Sequence, residues 1–147
     1  MAPIRFVPIA KEGDPAEDVG ALPNVAKEVC GATARLYESS GFQPPWIGYL
    51  VVLDDVLVGT CAFKTPPREG RVEIAYFTFP GFESRGIATD MALTLIRIAP
   101  GIEFMAQTLP VENASNSILR KLGFQFAGTV DDEEEGRVWE WLLPAPH

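Results

Sequence analysis

The chain has 147 residues, 47% of them hydrophobic and 22% charged, which fits one globular domain able to bury about two-thirds of its unfolded surface without a metal or disulfide. A formal net charge of −8 with no basic stripe argues against nucleic acid as a partner. No stretch reaches the roughly 18 apolar residues of a membrane span and residues 1–10 hold no signal-peptide core, so a soluble cytoplasmic protein with no membrane partner is expected.

Residues 4–9 read as a first strand. Leu22, Val25, Val29, Ala32 and Leu36 then recur at steps of three and four, the stripe of an amphipathic helix ending near Ser40 and Gly41. Residues 46–53 and 56–64 are β-rich runs joined at Asp54 and Asp55, a good hairpin pair. A Pro- and Gly-bearing turn follows, and residues 72–79 form a strand that stops at Pro80 and Gly81.

The chain next turns directly into a helix, through Phe82, Glu83, Ser84, Arg85, Gly86, Ile87, Ala88 and Thr89. Gly86 and Ala88 are small enough for a phosphate to approach the backbone, and Ser84, Arg85, Gly86 and Ile87 bring main-chain N–H groups to the head of the helix. A helix start carries roughly +0.5 elementary charge, to which Arg85 adds a whole one. An anion is expected there, although a bare helix entry has the same pattern. The helix, apolar at Ile87, Met91, Leu95 and Ile98, ends before Pro100 and Gly101. Residues 102–109 form a strand parallel to the one at 72–79 through a right-handed crossover. Asn113 or Ser115 caps a short helix that stops at Gly123, and residues 124–130 and 137–142 close an antiparallel pair around an acidic tip at residues 131–135. The whole is a mixed α/β sheet.

Two segments carry a resemblance. The corner at residues 82–89, together with Asn113, Ser115 and the helix end Leu119, Lys121, Gly123 and Phe124, resembles the GNAT N-acetyltransferase superfamily, most closely its ribosomal-protein-alanine acetyltransferase-like branch. Gly86 and Ala88 fit the family's pyrophosphate loop, whereas Glu83 stands where Arg or Gln is usual. The resemblance implies one acetyltransferase domain over residues 1–147. It also implies a mostly antiparallel sheet of about seven strands, helices on both faces, and a splayed parallel pair that takes the pantetheine arm like an extra strand. Acetyl coenzyme A is then the cosubstrate. Phe77, Thr78, Ser84, Arg85, Gly86, Ile87, Ala88 and Thr89 are its expected contacts, and Asn113 and Asn116 are candidates for holding the arm, although an Asn before a helix is more often a cap. Arg85, Arg120 and Lys121 supply local positive charge.

The implied chemistry is attack of a neutral amine on a thioester. The lone histidine is His147, so the base is expected to be a carboxylate: Glu73 first, beside the cleft, with Glu112 and Glu38 as alternatives and a salt-bridged strand residue as the bland reading. The tyrosine that often protonates the leaving thiolate is replaced by Arg120, which leaves Ser115, a water or Tyr76, the last more simply read as packing. Trp46 and Tyr49 are candidate walls for the acceptor, a primary amine on a small molecule or a protein. Cys30 and Cys61 read as reduced core residues, and no metal is expected. Trp139 and Trp141 alternate on the last strand, as core or as a subunit contact, which leaves a homodimer open. The competing class is a coenzyme A binding or sensing module without turnover, suggested by Glu83 and the missing tyrosine. A nucleotide-binding domain lacks its Gly-x-Gly-x-x-Gly turn.

Overall fold

The computed structural model describes residues 3–145, so His147 lies outside the described residues. In chain order the elements are β1 (Arg5–Pro8), α1 (Asn24–Ser40), β2 (Gly48–Leu53), β3 (Val56–Phe63), β4 (Arg71–Thr78), α2 (Ile87–Ile98), β5 (Glu103–Thr108), α3 (Ala114–Lys121), β6 (Gln125–Asp132) and β7 (Gly136–Leu143). The strands form one seven-stranded sheet in the order β1-β2-β3-β4-β5-β7-β6, and every neighbouring pair is antiparallel except β4 with β5. The expected mixed sheet and its parallel pair are both present. Asp54 and Asp55 turn the β2–β3 hairpin with φ of 51° and 62°, the left-handed pair that matches strand twist in a tight hairpin.

Helices cover both faces. Gly48 and its register partner Ala62 point to the same side of the sheet, and a Cβ on Gly48 would lie 2.9 Å from Thr33 of α1. Gly59, three residues from Ala62, points the other way, with Met91 of α2 the nearest side chain. Ile87, Met91 and Leu95 are buried as their spacing predicts, whereas Ile98 is exposed and Ala99 takes the last buried place. Cys30 and Cys61 are buried free thiols, and burial raises the pKa of both.

The face of α1 differs from expectation. Its buried residues are Ala26, Cys30 and Tyr37, one position on from the stripe read in the sequence, while Ala32 and Leu36 are exposed. The cause is Tyr37. Its hydroxyl donates to Ile9 O and accepts from Gly48 N, both at 2.9 Å, so one phenol satisfies buried backbone groups at the ends of β1 and β2 and fixes the helix rotation.

Gly59 marks the closest backbone approach in the sheet, since an added Cβ would lie 2.6 Å from Phe77 O and 3.4 Å from the Met91 thioether. Gly59→Ala is therefore expected to cost about 1–3 kcal/mol of unfolding free energy, measured by denaturant titration, because a backbone oxygen cannot rotate away.

Candidate active site

The decisive feature is where β4 and β5 part. Their parallel pairing runs only from Arg71 and Glu103 to Glu73 and Met105. Beyond that point β4 continues to pair with β3 as far as Thr78, and β5 with β7 as far as Thr108, but not with each other. The edge of β4 that faces the gap is thus open to an extended ligand.

On the α2 side of the gap lies a cavity of about 420 Å³, lined by Tyr76, Phe77, Thr78, Phe82, Glu83, Ser84, Gly86, Ile87, Ala88, Thr89, Ala114, Ser115 and Ile118. Ser84 and Gly86 hold φ of 64° and 79°, and no side chain caps the start of α2, so its first-turn amides remain available. A Cβ on Gly86 would meet nothing within 4 Å, which leaves room for a phosphate against the backbone. Uncapped amides, an open glycine and a cavity of this shape fit a diphosphate.

The expected cofactor residues separate on this geometry. Phe77, Thr78, Ser84, Gly86, Ile87, Ala88 and Thr89 line the cavity; the Ile87 side chain is buried, so its contribution is its amide. Arg85 does not line it, its guanidinium lying 5.6 Å from the Phe82 ring centroid. The Glu83 carboxylate accepts from Gly81 N at 2.7 Å, and these loop amides lower its pKa, so the loop's own side chain engages backbone donors next to the cavity.

Asn113 and Asn116 take structural parts. Asn113 is the cap of α3, accepting from Asn116 N at 3.1 Å. The Asn116 side chain is fully buried and committed: Oδ1 accepts from Thr108 Oγ1 at 2.6 Å and Nδ2 donates to Val111 O at 2.6 Å, while Trp141 Nε1 donates to the same Thr108 hydroxyl at 3.0 Å. The expectation that Asn116 holds the arm is therefore replaced by a junction tying β5, α3 and β7. Ala114, Ser115 and Ile118 face the cavity instead, on the helical spacing of three and four that follows once Asn116 points inward. Arg120 pairs with Glu112 through two hydrogen bonds of 2.8 and 2.9 Å and lies over the Trp141 ring, which removes it from the free positive charge of the site and Glu112 from the candidate bases.

Tyr76 is the group the sequence undersold. Its hydroxyl oxygen is buried and makes no hydrogen bond of good geometry, although the Ser115 hydroxyl lies near enough to act as a poorly aligned partner and to oppose the rise in pKa that burial causes.

Glu73 sits on the other face, because it lies three positions from Tyr76 along β4, an odd step. Burial raises its pKa most, Asp132 and Glu140 raise it further, and Lys64, paired with it at 3.1 Å, pulls it down. Glu73 lines two cavities. One, of about 220 Å³, lies in the gap among Ile74, Ala75, Gln107 and Thr108. The other, of about 760 Å³, is walled by Ala32, Arg35, Leu36 and Ser39 of α1, by Lys64, and by the acidic tip 132–135. Glu38 opens on a separate cavity with Lys11 and Tyr37.

Trp46 and Tyr49 line none of these cavities. Trp46 packs edge-on against Phe63 with ring centroids 5.1 Å apart; Tyr49 is buried, donates to Pro45 O at 2.7 Å, and has its pKa raised to about 12, mainly by burial. The apolar wall beside Glu73 comes from Ala32 and Leu36, the two helix positions that the fold leaves out of the core.

The family model described as "Acetyltransferase (GNAT) domain" matches residues 17–125. The chain belongs to the GNAT acetyltransferases. Among solved structures it is similar to RimL, a ribosomal L7/L12 alpha-N-protein acetyltransferase in complex with coenzyme A, at 16% identity over 85% of this chain and 74% of that one, TM-score 0.65. It is also similar to the Salmonella typhimurium acetyl transferase that modifies the N-terminal serine of ribosomal protein L7/L12, at 16% identity over 86% and 77% of the two chains, TM-score 0.61. A third similar structure is the microcin C7 self-immunity acetyltransferase MccE with acetyl-CoA and AMP, at 14% identity over 82% and 71%, TM-score 0.64. These likenesses show a shared fold. No curated protein sequence matches the chain. Among the described residues no helix is long and apolar enough to cross a membrane, and no group of three or more His, Cys, Asp or Glu side chains is placed to hold a metal ion.

Asn116→Ala removes the centre of the junction: the Thr108 hydroxyl loses its acceptor and the Val111 carbonyl its side-chain donor, while Trp141 still donates to Thr108. It is expected to lower the unfolding free energy by about 2–3 kcal/mol in denaturant titration, with the loss of coenzyme A affinity following the loss of fold.

Proposed function

We propose that this chain transfers an acetyl group from acetyl coenzyme A to a primary amine, with the diphosphate on the first-turn amides of α2 and the acceptor amine reaching the gap from the Glu73 face. The observation that carries this reading is the end of β4–β5 pairing at Glu73, with successive residues of β4 lining a cavity on each side: Glu73, Ile74 and Ala75 on one, Tyr76, Phe77 and Thr78 on the other.

Bound acetyl coenzyme A supplies the activated acetyl group; the residues of this chain supply orientation and proton transfer. Backbone N–H groups freed along β4 are donors for a developing oxyanion, a type of contact that contributes about 3–4 kcal/mol in well-built sites. A lysine-type amine of pKa ~10.4 is neutral in about one molecule in a few thousand at pH 7, whereas an α-amine of pKa ~7.7–8.0 is neutral in about one in ten. Glu73 is the base in this reading, half-desolvated and tethered by Lys64 at the point where the strands separate. The acidic tip beside it favours an acceptor that carries positive charge besides its reacting amine, on a small molecule or a protein. Ser115 contributes a hydroxyl on the thioester side.

Gly86→Val places a branched side chain at φ +79° in the diphosphate space, and is expected to raise the coenzyme A Kd at least tenfold by calorimetry while costing about 1–2 kcal/mol of stability. Unchanged affinity in a folded variant would remove the cofactor from this corner. Thiol release from acetyl coenzyme A across a panel of amines tests turnover, and binding without release would favour the sensing module.

Glu73→Gln is expected to lower kcat/KM about 10²–10³-fold, more for lysine-type than for α-amines, and to abolish the acidic limb of the pH–rate profile. The sign for Lys64 is fixed by its part in the present pKa. Because Lys64 holds the Glu73 pKa down, Lys64→Met should move that limb to higher pH, and Asp132→Asn should move it to lower pH.

A further inference from the structure

We propose that Tyr76, on the central strand rather than on the last helix, is the hydrogen-bond donor to the sulfur that departs from the acetyl group. The inference rests on the acetyltransferase reading above and adds to it a residue that neither the family motif nor the neighbouring Ser115 supplies.

The argument starts from a cost. The Tyr76 hydroxyl oxygen is buried without a hydrogen-bond partner, the sole such side-chain atom among the described residues. An unsatisfied buried polar group typically costs about as much as several good contacts contribute, so in a structural role phenylalanine would be the better residue. Tyr76 is also no anonymous core residue. It lines the cavity of the α2 side together with Ser115, Ala114 and Ile118, and it lies three positions beyond Glu73, where β4 has just lost β5 as a neighbour. Strand alternation sets Glu73 and Tyr76 on opposite faces at the same opening. A base on one face and a donor on the other match a displacement in which the amine enters from one side and the thiolate leaves toward the other.

The balance is simple. The amine nitrogen forms a bond to the acetyl carbon, the carbon–sulfur bond breaks, and its electron pair goes to sulfur. Glu73 takes a proton from the nitrogen and passes it to solvent. Tyr76 Oη–H donates to the sulfur as charge collects there. Burial holds the phenol above its ordinary pKa, and a thiol of the cysteine type titrates near ~8.5, so the phenol remains protonated throughout and the sulfur takes its final proton from water entering beside Ser115. Tyr76 is the one phenol that lines this cavity among the described residues, and Arg120 is engaged by Glu112.

The test is Tyr76→Phe, with three readouts on the full chain. Denaturant unfolding without ligand should show the variant at least as stable as the parent, because the phenol makes no hydrogen bond of good geometry. The ultraviolet absorbance of the thiolate of bound coenzyme A, titrated with pH, should give a thiol pKa lower on the parent than on the variant by about one unit, a tenfold difference. With acetyl coenzyme A and an accepted amine, kcat should fall about 10- to 100-fold with KM changed less than threefold. A bound-thiol pKa and a kcat that are the same in both proteins would overturn the inference. If the parent fails to bind coenzyme A at all, the reading of the cofactor site fails instead, so the two failures are told apart. A variant that is less stable than the parent would assign the hydroxyl a structural part and also overturn it.

Discussion

The site depends on one buried junction. Thr108 at the end of β5 donates to Asn116, accepts from Trp141 of β7, and through Asn116 is tied to Val111 in the turn between. These bonds tie the end of β5 to α3 and β7 at the place where its pairing with β4 has already ended. The junction holds the β5 side of the gap in place: Asn116, Thr108 and Trp141 are buried, and their polar groups would be costly to leave unpaired. The same junction sets α3 so that Ala114, Ser115 and Ile118 close the side of the cavity opposite α2. Phe126 packs edge-on against both Trp139 and Trp141, and Arg120 covers Trp141, so the outer part of the sheet braces the junction from behind.

Strand and helix order was legible because it follows local rules: the apolar, β-rich runs of β2 and β3, the aspartate pair at their turn, and the 3.6-residue period of α2. That residues 82–89 form a glycine-bearing turn entering a helix was legible for the same reason, since such a turn is a local arrangement. What the sequence concealed depends on partners far along the chain. Asn113 and Asn116 look equally available before folding, and only contact with Thr108, eight residues away from Asn116, and Val111 commits the second of them to the interior. Tyr76 looks like packing because nothing local shows that its hydroxyl finds no partner.

The rotation of α1 is the most instructive difference. Leu22, Val25, Val29, Ala32 and Leu36 form a fair stripe, yet Tyr37 wins the core because its hydroxyl satisfies Ile9 and Gly48 together, which leucine cannot do. Ala32 and Leu36 are then turned toward the cavity beside Glu73. An apolar pattern that contradicts the packing is expected where a surface has a use other than stability. The aromatic candidates went the opposite way. Trp46 and Tyr49 have the composition of a binding wall but serve the core, with the Tyr49 hydroxyl satisfied by Pro45.

Charge poses the remaining question, since a chain of net charge −8 belongs to a family whose cosubstrate is an anion. Side-chain cations do not answer it. Arg120 is paired with Glu112, Lys64 with Glu73, and Arg85 stacks beside Phe82, while Glu83 adds a carboxylate to the loop that enters α2. What remains is the backbone: the amides at the head of α2, with the roughly half charge of a helix start. Such donors act over a single turn and only along their N–H directions, so in the proposed site they suit a compact diphosphate without drawing in polyanions at large. The acidic tip works by the opposite rule, through a field that reaches about 8 Å at physiological salt and repels anions from the Glu73 side of the gap. In the proposed reaction the two substrates are thereby kept distinct, one by hydrogen-bond direction and the other by charge, on opposite faces of the same opened strand pair.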